Sequence, residues 1–261
     1  MVDEVAHSKS DQWVVITSIH PPDDRIIEYV NLGYQVVVVA DSGTDVTAWN
    51  SPPLGVTFLS LEEQHDRFTE LSTWLGSGKY ARKNLGYLTA IEAGACVIWD
   101  SDDDTFPRSE VGDPLQFLDG QAISMISGNG LWNPYEFYQP GVRIWPRGYP
   151  LASINQSFSE TAMESSGVFD SEWNGVCQML VAGDPDVDAI FRLTSIQQVV
   201  ETPASKSVID LGQRISPGNT QATIWRGQEF FGHLYIPALV SFRFCDILKM
   251  YVTQTRIPLL H

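Results

Sequence analysis

The stretch CVIWDSDDDTFP, at residues 96–107, passes directly from apolar residues to a dense group of carboxylates. A short apolar run that ends at polar turn residues is typical of a buried β-strand. Four of the next five residues, 100–104, are aspartates. The stretch therefore predicts a strand that leads into a strongly negative loop at the edge of a sheet.

Earlier apolar runs repeat this pattern, and segments with helical periodicity separate them. Strands are predicted at 12–19, 34–40 and 55–60, and helices at 23–33, 61–76 and 79–94. Continuous apolar strands that alternate with amphipathic helices indicate a parallel sheet covered on both faces. The predicted fold class is therefore α/β, Rossmann-like, with a mostly parallel central sheet. Ligands of such folds bind beyond the carboxyl ends of the strands, where the loops HPPDD, DSGTD and DSDDD follow.

The second half of the chain is less regular. Residues 131–151 contain six aromatic residues and four prolines, which predicts an ordered loop. A helix is predicted at 184–195, since Asp184 suits the cap and a proline follows it. Residues 230–252 predict a strand and then a helix. The polar residues 1–11 predict a disordered tail.

The composition argues against two classes of partner. The net charge is −16, from 32 acidic and 16 basic residues. Nucleic-acid binding and attraction to a membrane surface both need clustered lysine and arginine, so neither is expected. The three cysteines have no metal-binding spacing. Since every apolar run is too short to cross a bilayer, no membrane segment is predicted in this chain.

The aspartates at 100–104 favour a bound cation. Two like charges a few ångströms apart repel by about 1 kcal/mol in water and about 4 kcal/mol at an effective dielectric near 20. Such a group either shifts its pKa values upward or recruits a cation. Carboxylate oxygens suit Mg²⁺, Mn²⁺ or Ca²⁺. A divalent ion would also let an acidic protein bind a diphosphate.

Four interpretations of this loop stay open. As an EF-hand loop, Asp100, Asp102 and Asp104 match the first ligand positions, but Thr105 replaces the glycine and Val111 the final glutamate. As a D-x-D-x-T phosphatase motif, it has Asp104 in the place of the threonine. It also fits a solvated acidic turn without a ligand. The fourth interpretation is the D-x-D motif of a metal-dependent glycosyltransferase, matched by the DSD at the strand end.

Several blocks in order make the last interpretation more specific. They are WVVITSIHPP, ARKNLGYLTAIEAGACVIWDSDDD, WNPYEFYQP, WPRGYPL, GDPDVDAIFRLT and VSFRFCDILK. Together they run from about 13 to 249, and with them the chain resembles the STELLO-type glycosyltransferase-like family. More distant relatives are the reversibly glycosylated polypeptides, which are UDP-arabinopyranose mutases. The resemblance implies a GT-A fold, a UDP-sugar donor such as UDP-glucose, and Mn²⁺ or Mg²⁺ as cofactor.

The resemblance also implies that the two halves of the chain have different roles. We expect a single GT-A-like domain at 12–261, with a nucleotide-binding half at 12–107 and an acceptor-side half at 108–261. The acceptor is an unknown carbohydrate or protein. A nucleotide-sugar mutase, a self-glycosylating protein and a non-catalytic scaffold of the same fold remain alternatives. We expect a soluble domain, either cytoplasmic or the lumenal part of a Golgi-type protein.

Site residues in the first half are assigned from their predicted positions. Asp100, Asp102 and Asp104 are the expected metal ligands, and Asp100 also belongs to the donor site. Contacts to the base, ribose or diphosphate are expected from Thr17, Ser18, Asp41, Arg82 and Lys83. For each of these five a structural alternative stays open: strand-end capping, a local turn, or a solvated helix start.

Site residues in the second half follow from two segments. An inverting enzyme needs a general base, for which Asp186 is preferred over Asp188. Both also suit the first turn of a helix, where acids are common. Trp145, Arg147 and Arg192 are further candidates for the donor, since aromatic rings stack on sugars and arginine forks onto phosphate. Packing is the alternative role for the tryptophan and for Trp132, and His233 is a weaker metal candidate.

Overall fold

The computed structural model describes residues 11–138, 143–154, 163–170, 173–195 and 206–261. Except for Asp11, the predicted tail at 1–11 lies outside the described residues. The chain forms two compact units. The first contains Met1–Arg108 and Ile224–Phe242, and the second contains Ser109–Thr223 and Arg243–His261. The functional halves at 12–107 and 108–261 stay a prediction.

Strands and helices alternate through the described part of the chain. The strands are β1 (Gln12–Ser18), β2 (Gln35–Ala40), β3 (Val56–Leu59), β4 (Val97–Ser101), β5 (Gln121–Ile126), β6 (Asn129–Leu131), β7 (Met163–Phe169), β8 (Gly175–Gln178), β9 (Val208–Asp210), β10 (Gln213–Ile215), β11 (Ala222–Arg226) and β12 (Leu259–Leu260). The helices are α1 (Asp24–Asn31), α2 (Leu61–Arg67), α3 (Thr69–Leu75), α4 (Lys83–Glu92), α5 (Pro114–Phe117), α6 (Pro134–Tyr138), α7 (Ala189–Thr194) and α8 (Cys245–Gln254). Short 3₁₀ turns lie between them.

In the first unit the strand order is β3-β2-β1-β4, followed by β11, whose residues 224–226 belong to this unit. The pairs β1–β2, β1–β4 and β2–β3 are parallel. Val14, Val15 and Ile16 of β1 are buried, as are all of the residues from Val36 to Ala40 in β2. Continuous burial is what a parallel sheet covered by helices requires.

The helix α4 lies against β1 and β2 because of a glycine. A Cβ atom at Gly86 would lie 2.7 Å from Cγ1 of Val15 and 2.7 Å from Cγ2 of Val39. Only glycine therefore allows this approach. The close packing brings the first residue of α4, Lys83, to the carboxyl end of β4, where its side chain is buried.

The second unit combines both pairing modes. β8 and β12 are parallel, β12 and β9 antiparallel, β9 and β5 parallel, and β5 and β7 antiparallel. A small parallel ladder joins β10 to β6. The predicted α/β class, with a mostly parallel sheet flanked by helices, is confirmed and is consistent with a GT-A architecture. No helix in the described part of the chain is both long and apolar enough to span a bilayer.

Several predicted helices have different bounds. The helix predicted at 61–76 is broken at Phe68, whose ψ of 51° lies outside the helical region. The helix predicted at 184–195 begins only at Ala189, with Asp188 as its cap. The segment 230–252 contains a 3₁₀ turn and α8 but no strand among its described residues.

Candidate active site

The carboxyl ends of β1, β2 and β4 meet in the first unit, as parallel pairing requires. The Ser18 hydroxyl donates to Oδ2 of Asp103 at 2.7 Å, which joins the end of β1 to the acidic loop after β4. The Thr44 hydroxyl donates to the Ser18 carbonyl at 3.0 Å, which joins the loop after β2 to the same point. The three polar loops predicted from the sequence therefore come together.

A buried ammonium group lies at the centre of the acidic loop. Nζ of Lys83 lies 2.8 Å from Oδ1 of Asp100 and 3.2 Å from Oδ1 of Asp102, and it donates to the Ser101 carbonyl. The side chains of Lys83 and Asp100 are both fully buried. The hydroxyl of Tyr80 donates to the same Oδ1 of Asp102 at 2.5 Å and accepts from Lys83 at 3.0 Å. Part of the negative charge of the loop is thus balanced from inside the protein.

The electrostatics of this cluster follow from burial and charge. Burial opposes the charged form of Lys83, but Asp100 and Asp102 outweigh it and raise the pKa of the ammonium. Burial raises the pKa of Asp102, while Lys83 and Tyr80 partly offset the effect. Burial and the two aspartates hold the pKa of the Tyr80 phenol well above its ordinary value, so that it stays a donor.

The three aspartates predicted to bind the metal differ in how accessible they are. Asp100 is fully buried against Lys83, so the structure does not support its prediction as an accessible metal or donor contact. The side chain of Asp102 is 31% exposed, and Asp104 is exposed. Their carboxylate oxygens suit Mn²⁺ or Mg²⁺. In the described part of the chain, however, no three histidine, cysteine or acidic side chains converge as a complete metal site.

Asp41 and Thr17, two further residues predicted to contact the sugar donor, have different surroundings in the first unit. The carboxylate of Asp41 accepts from the backbone amides of Gly78 at 2.7 Å and Lys79 at 2.9 Å, so it holds a loop. Thr17 is half-buried and has no side-chain hydrogen bond within the described residues. It lies one residue before the carboxyl end of β1.

The buried side chain of Arg82 bonds to α2, α3 and Gly76, and none of its described hydrogen bonds reaches the acidic loop. Its guanidinium donates to Oε1 of Gln64 at 2.8 Å, to Oγ of Ser72 at 3.2 Å and to the Gly76 carbonyl. The Gln64 amide in turn donates to the Ala40 carbonyl at 2.9 Å. Burial lowers the pKa of Arg82, although Asp41 partly offsets it. These contacts support a structural role in place of the predicted diphosphate contact.

In the second unit Arg147 joins two carboxylates. Its Nε donates to Oδ1 of Asp186 at 2.6 Å, and its two terminal nitrogens donate to Asp246 at 3.0 and 2.5 Å. The Asn219 amide donates to the other oxygen of Asp186 at 3.0 Å. Burial opposes the charge of Arg147, but Asp246 and Asp186 outweigh it and raise its pKa. Arg147 and Asp186, predicted separately as donor contact and general base, are therefore partners.

The remaining candidates in the second unit have structural contacts. Asp188 caps α7 by accepting from the Ile190 amide at 2.8 Å. Arg192 forms an exposed ion pair with Asp184. The ring of Trp145 lies 6.0 Å from that of Phe191. These contacts favour the capping, pairing and packing alternatives.

The last two candidates are Trp132 in the second unit and His233 in the first unit. Trp132 is buried, with its ring edge-on to that of His261 at 5.3 Å. His233 ends a 3₁₀ turn, Gln228–His233, in the first unit. The contact of Trp132 favours packing, and nothing in the described contacts assigns His233 to the acidic loop.

Tyr80, Asp103 and Asp246 belong to these clusters but were not predicted as site residues. Tyr80 precedes Lys83 by three positions, a spacing that places two side chains on one side of a helical turn. That spacing was the available signal for Tyr80. Asp246 lies nearly a hundred residues from Arg147 in the chain, so no local pattern indicates their contact.

His261 makes the stability of the second unit depend on pH. Its ring is buried, neither ring nitrogen has a hydrogen-bond partner within the described residues, and burial lowers its pKa from 6.5 to about 3. Below pH 6.5 the unfolded chain binds a proton that the folded chain does not. The free energy of unfolding therefore falls as pH falls, by about 1.4 kcal/mol per pH unit.

His261→Gln removes this contribution, so the stability of the wild type should fall more steeply than that of the variant between pH 6.5 and 5. Urea unfolding at several pH values measures both slopes. Parallel curves for the two proteins would show that His261 binds its proton equally well in the folded state.

A mostly parallel α/β fold with an aspartate-rich loop at the carboxyl edge of its sheet is consistent with the GT-A, Rossmann-like class of glycosyltransferases. The chain is similar to two proteins of Arabidopsis thaliana, "Probable glycosyltransferase STELLO1" and "Probable glycosyltransferase STELLO2". It is 28% and 27% identical to them over 272 aligned residues, which cover 95% of this chain. The resemblance given by the sequence blocks is thus confirmed. The chain spans 34% of the length of these relatives, and no family model matches it.

Proposed function

We propose that this chain is a glycosyltransferase that uses a nucleotide-sugar donor, specifically a UDP-sugar such as UDP-glucose. The observation that carries the proposal is the partly exposed carboxylate of Asp102 at the carboxyl end of β4, where the ends of β1 and β2 also lie. The names of the two relatives support the same reaction class. The transferred sugar goes to a carbohydrate or protein acceptor.

Asp102 and Asp104 would hold Mn²⁺ or Mg²⁺ together with the diphosphate of the donor. With an ion held there, the chemistry supplied would be neutralisation of the diphosphate charge, which would make the diphosphate a better leaving group. The free hydroxyl of Thr17 would contact the ribose or base. Asp41 and Ser18 hold the loops around it through hydrogen bonds of their own.

The proposal is tested by thermal unfolding with a panel of nucleotides and UDP-sugars, each with Mn²⁺ and with EDTA. A donor at 100 times its dissociation constant adds about 2.7 kcal/mol to the free energy of unfolding. We expect one UDP-sugar to stabilise the protein, and only in the presence of the metal. Equal stability with every nucleotide would overturn the proposal.

Asp102→Asn should abolish the metal-dependent stabilisation by the donor, because it removes the partly exposed carboxylate charge that directly follows β4. Asp66→Asn is a matched control, since Asp66 is an exposed aspartate of α2. The control should bind the donor as the wild type does. Unchanged donor binding by the Asp102→Asn protein would remove Asp102 from the site.

A non-catalytic scaffold of the same fold is the second candidate. The observation in its favour is that Lys83 pairs with both Asp100 and Asp102 and so balances part of their negative charge without a metal. A protein that binds the donor but releases no UDP with any acceptor or with water would support this candidate. A mass increase of the intact protein after incubation with UDP-sugars would instead indicate self-glycosylation.

A further inference from the structure

We propose that a small cavity in the second unit binds the primary hydroxyl of a neutral sugar, and that this sugar is the acceptor. The acceptor is then a carbohydrate and not a protein. Its role as acceptor rests on the proposed transferase function, whereas its binding to the cavity needs no donor.

Three side chains that line the cavity have polar groups without partners. Tyr135 is 5% exposed, and its hydroxyl has no hydrogen bond within the described residues. Oε1 of Gln221 and both ring nitrogens of His261 are buried and have no hydrogen-bond partner there either. Buried polar groups in native proteins are nearly always paired, so each exception needs an explanation such as a bound water or ligand. Three exceptions at one cavity indicate a polar ligand.

A carboxylate and an amide at the same cavity can each form a further hydrogen bond. Oδ1 of Asp186 accepts from Nε of Arg147 at 2.6 Å, and Oδ2 accepts from the Asn219 amide at 3.0 Å. A carboxylate oxygen has about two lone-pair sites and an amide nitrogen has two hydrogens, so both groups keep bonding capacity. The side chain of Asp186 is 19% exposed, which leaves it within reach of a ligand.

The charge of the cavity favours a neutral ligand. Among the described residues that line it, Arg147 is the single permanent cation, and it is shared between Asp186 and the neighbouring Asp246. Burial lowers the pKa of His261 to about 3, so its ring is neutral at pH 7. Two carboxylates against one guanidinium disfavour a phosphate or a sugar acid. Hydroxyls both donate and accept without carrying charge, and so match this lining.

The size of the cavity determines which part of a sugar enters. Its volume of about 20 Å³ suits one water-sized group, since a water needs about 10 to 15 Å³. A sugar ring is too large, but the hydroxyl of a protruding hydroxymethyl group fits. Neighbouring ring hydroxyls can then meet Asp186 and Asn219. A serine side chain also ends in a hydroxymethyl group, but it brings no second hydroxyl for these two residues.

Binding is tested by saturation-transfer NMR on the whole chain, without donor or metal, with the methyl glycosides of glucose, galactose and mannose. We expect at least one to bind with a dissociation constant on the order of 1 to 10 mM, because one hydroxyl and one sugar edge supply few contacts. The matched pentoside lacks the hydroxymethyl group, and the matched uronide has a carboxylate in its place. Both should bind about tenfold more weakly or not at all.

Two variants of the cavity have matched controls. Tyr135→Phe and Gln221→Met each remove one hydrogen-bonding group and should weaken binding about three- to tenfold. Tyr135→Phe should fold as the wild type does, because the hydroxyl it removes has no partner. Tyr138→Phe changes a tyrosine of the same helix, α6, whose hydroxyl donates to the Ser207 carbonyl. Gln213→Met changes an exposed glutamine of β10, and both controls should bind as the wild type does.

Weaker glycoside binding in the two cavity variants, with unchanged binding in their controls, supports the sugar site. Absence of glycoside binding to the wild type, equal binding by the wild type and both cavity variants, or equal binding of hexoside and pentoside overturns it. Binding of a serine peptide in place of every glycoside would assign the cavity to a protein and also overturn it. Glycoside binding without any stabilisation by a nucleotide sugar would keep the sugar site and overturn the proposed function, and the reverse result would overturn the sugar site alone.

Discussion

Lys83→Met is expected to lower the free energy of unfolding by about 3 to 5 kcal/mol, because it leaves the carboxylate of Asp100 buried without its cation. Both side chains are fully buried, and Nζ lies 2.8 Å from the carboxylate oxygen. The charge cannot be rehydrated in the folded protein, so the loss of one partner costs much more than the pair contributes. Chemical denaturation followed by tryptophan fluorescence measures the change.

Two controls separate the buried pair from a general effect of charge. Lys79→Met removes a positive charge from an exposed position on the same segment and should change stability by less than about 0.5 kcal/mol. The double variant Lys83→Met with Asp100→Asn removes both charges and should recover most of the stability lost in the single variant. Wild-type stability of Lys83→Met would show that Asp100 is not a buried charge.

Arg147→Met is expected to lower the free energy of unfolding by about 2 to 3 kcal/mol. The guanidinium joins Asp186 and Asp246, and its removal leaves the largely buried carboxylate of Asp246 without a cation. We place the effect below that of Lys83→Met because the Arg147 side chain is 21% exposed, so water screens the pair in part. Urea unfolding measures the difference from the wild type.

Arg192→Met is the matched control for this prediction. The pair of Arg192 with Asp184 is exposed, and such pairs contribute about 0 to 1 kcal/mol. Arg147→Lys is a second test, since lysine keeps the charge but lacks the fork that reaches two carboxylates. We expect the free energy of unfolding of Arg147→Lys to lie between that of the wild type and that of Arg147→Met. Equal effects of Arg147→Met and Arg192→Met would contradict the bridging role.

The strands at the site could be predicted from the sequence, whereas the roles of the cations could not. The strand predicted at 12–19 is β1, and the apolar run before the aspartates ends in β4, because a buried parallel strand needs an unbroken apolar segment. The basic residues Arg82 and Lys83 were predicted to face a diphosphate. Both are instead enclosed, since the approach of α4 at Gly86 carries them into the unit.

The position of α7 shows why local signals were insufficient in the second unit. Asp184 and Pro185 favour a helix start. The next residues, 186–188, instead pair with 145–147. The Asp188 amide donates to the Trp145 carbonyl, and the Arg147 amide donates to the Asp186 carbonyl. These long-range bonds keep the segment extended. The helix consequently begins after Asp188, which becomes its cap.

The sequence by itself determined the α/β class, the parallel strands of the first unit and the acidic loop at their carboxyl edge. All three depend on apolar runs and turn residues, which act over a few neighbouring positions. Only the tertiary structure decided which carboxylates stay accessible, since that depends on the positions of the Lys83, Tyr80 and Arg147 side chains in the folded protein. Each of these side chains is placed by packing or by ion pairs between segments distant in the chain, and a carboxylate that is buried beside a cation is indistinguishable in sequence from one that faces a ligand.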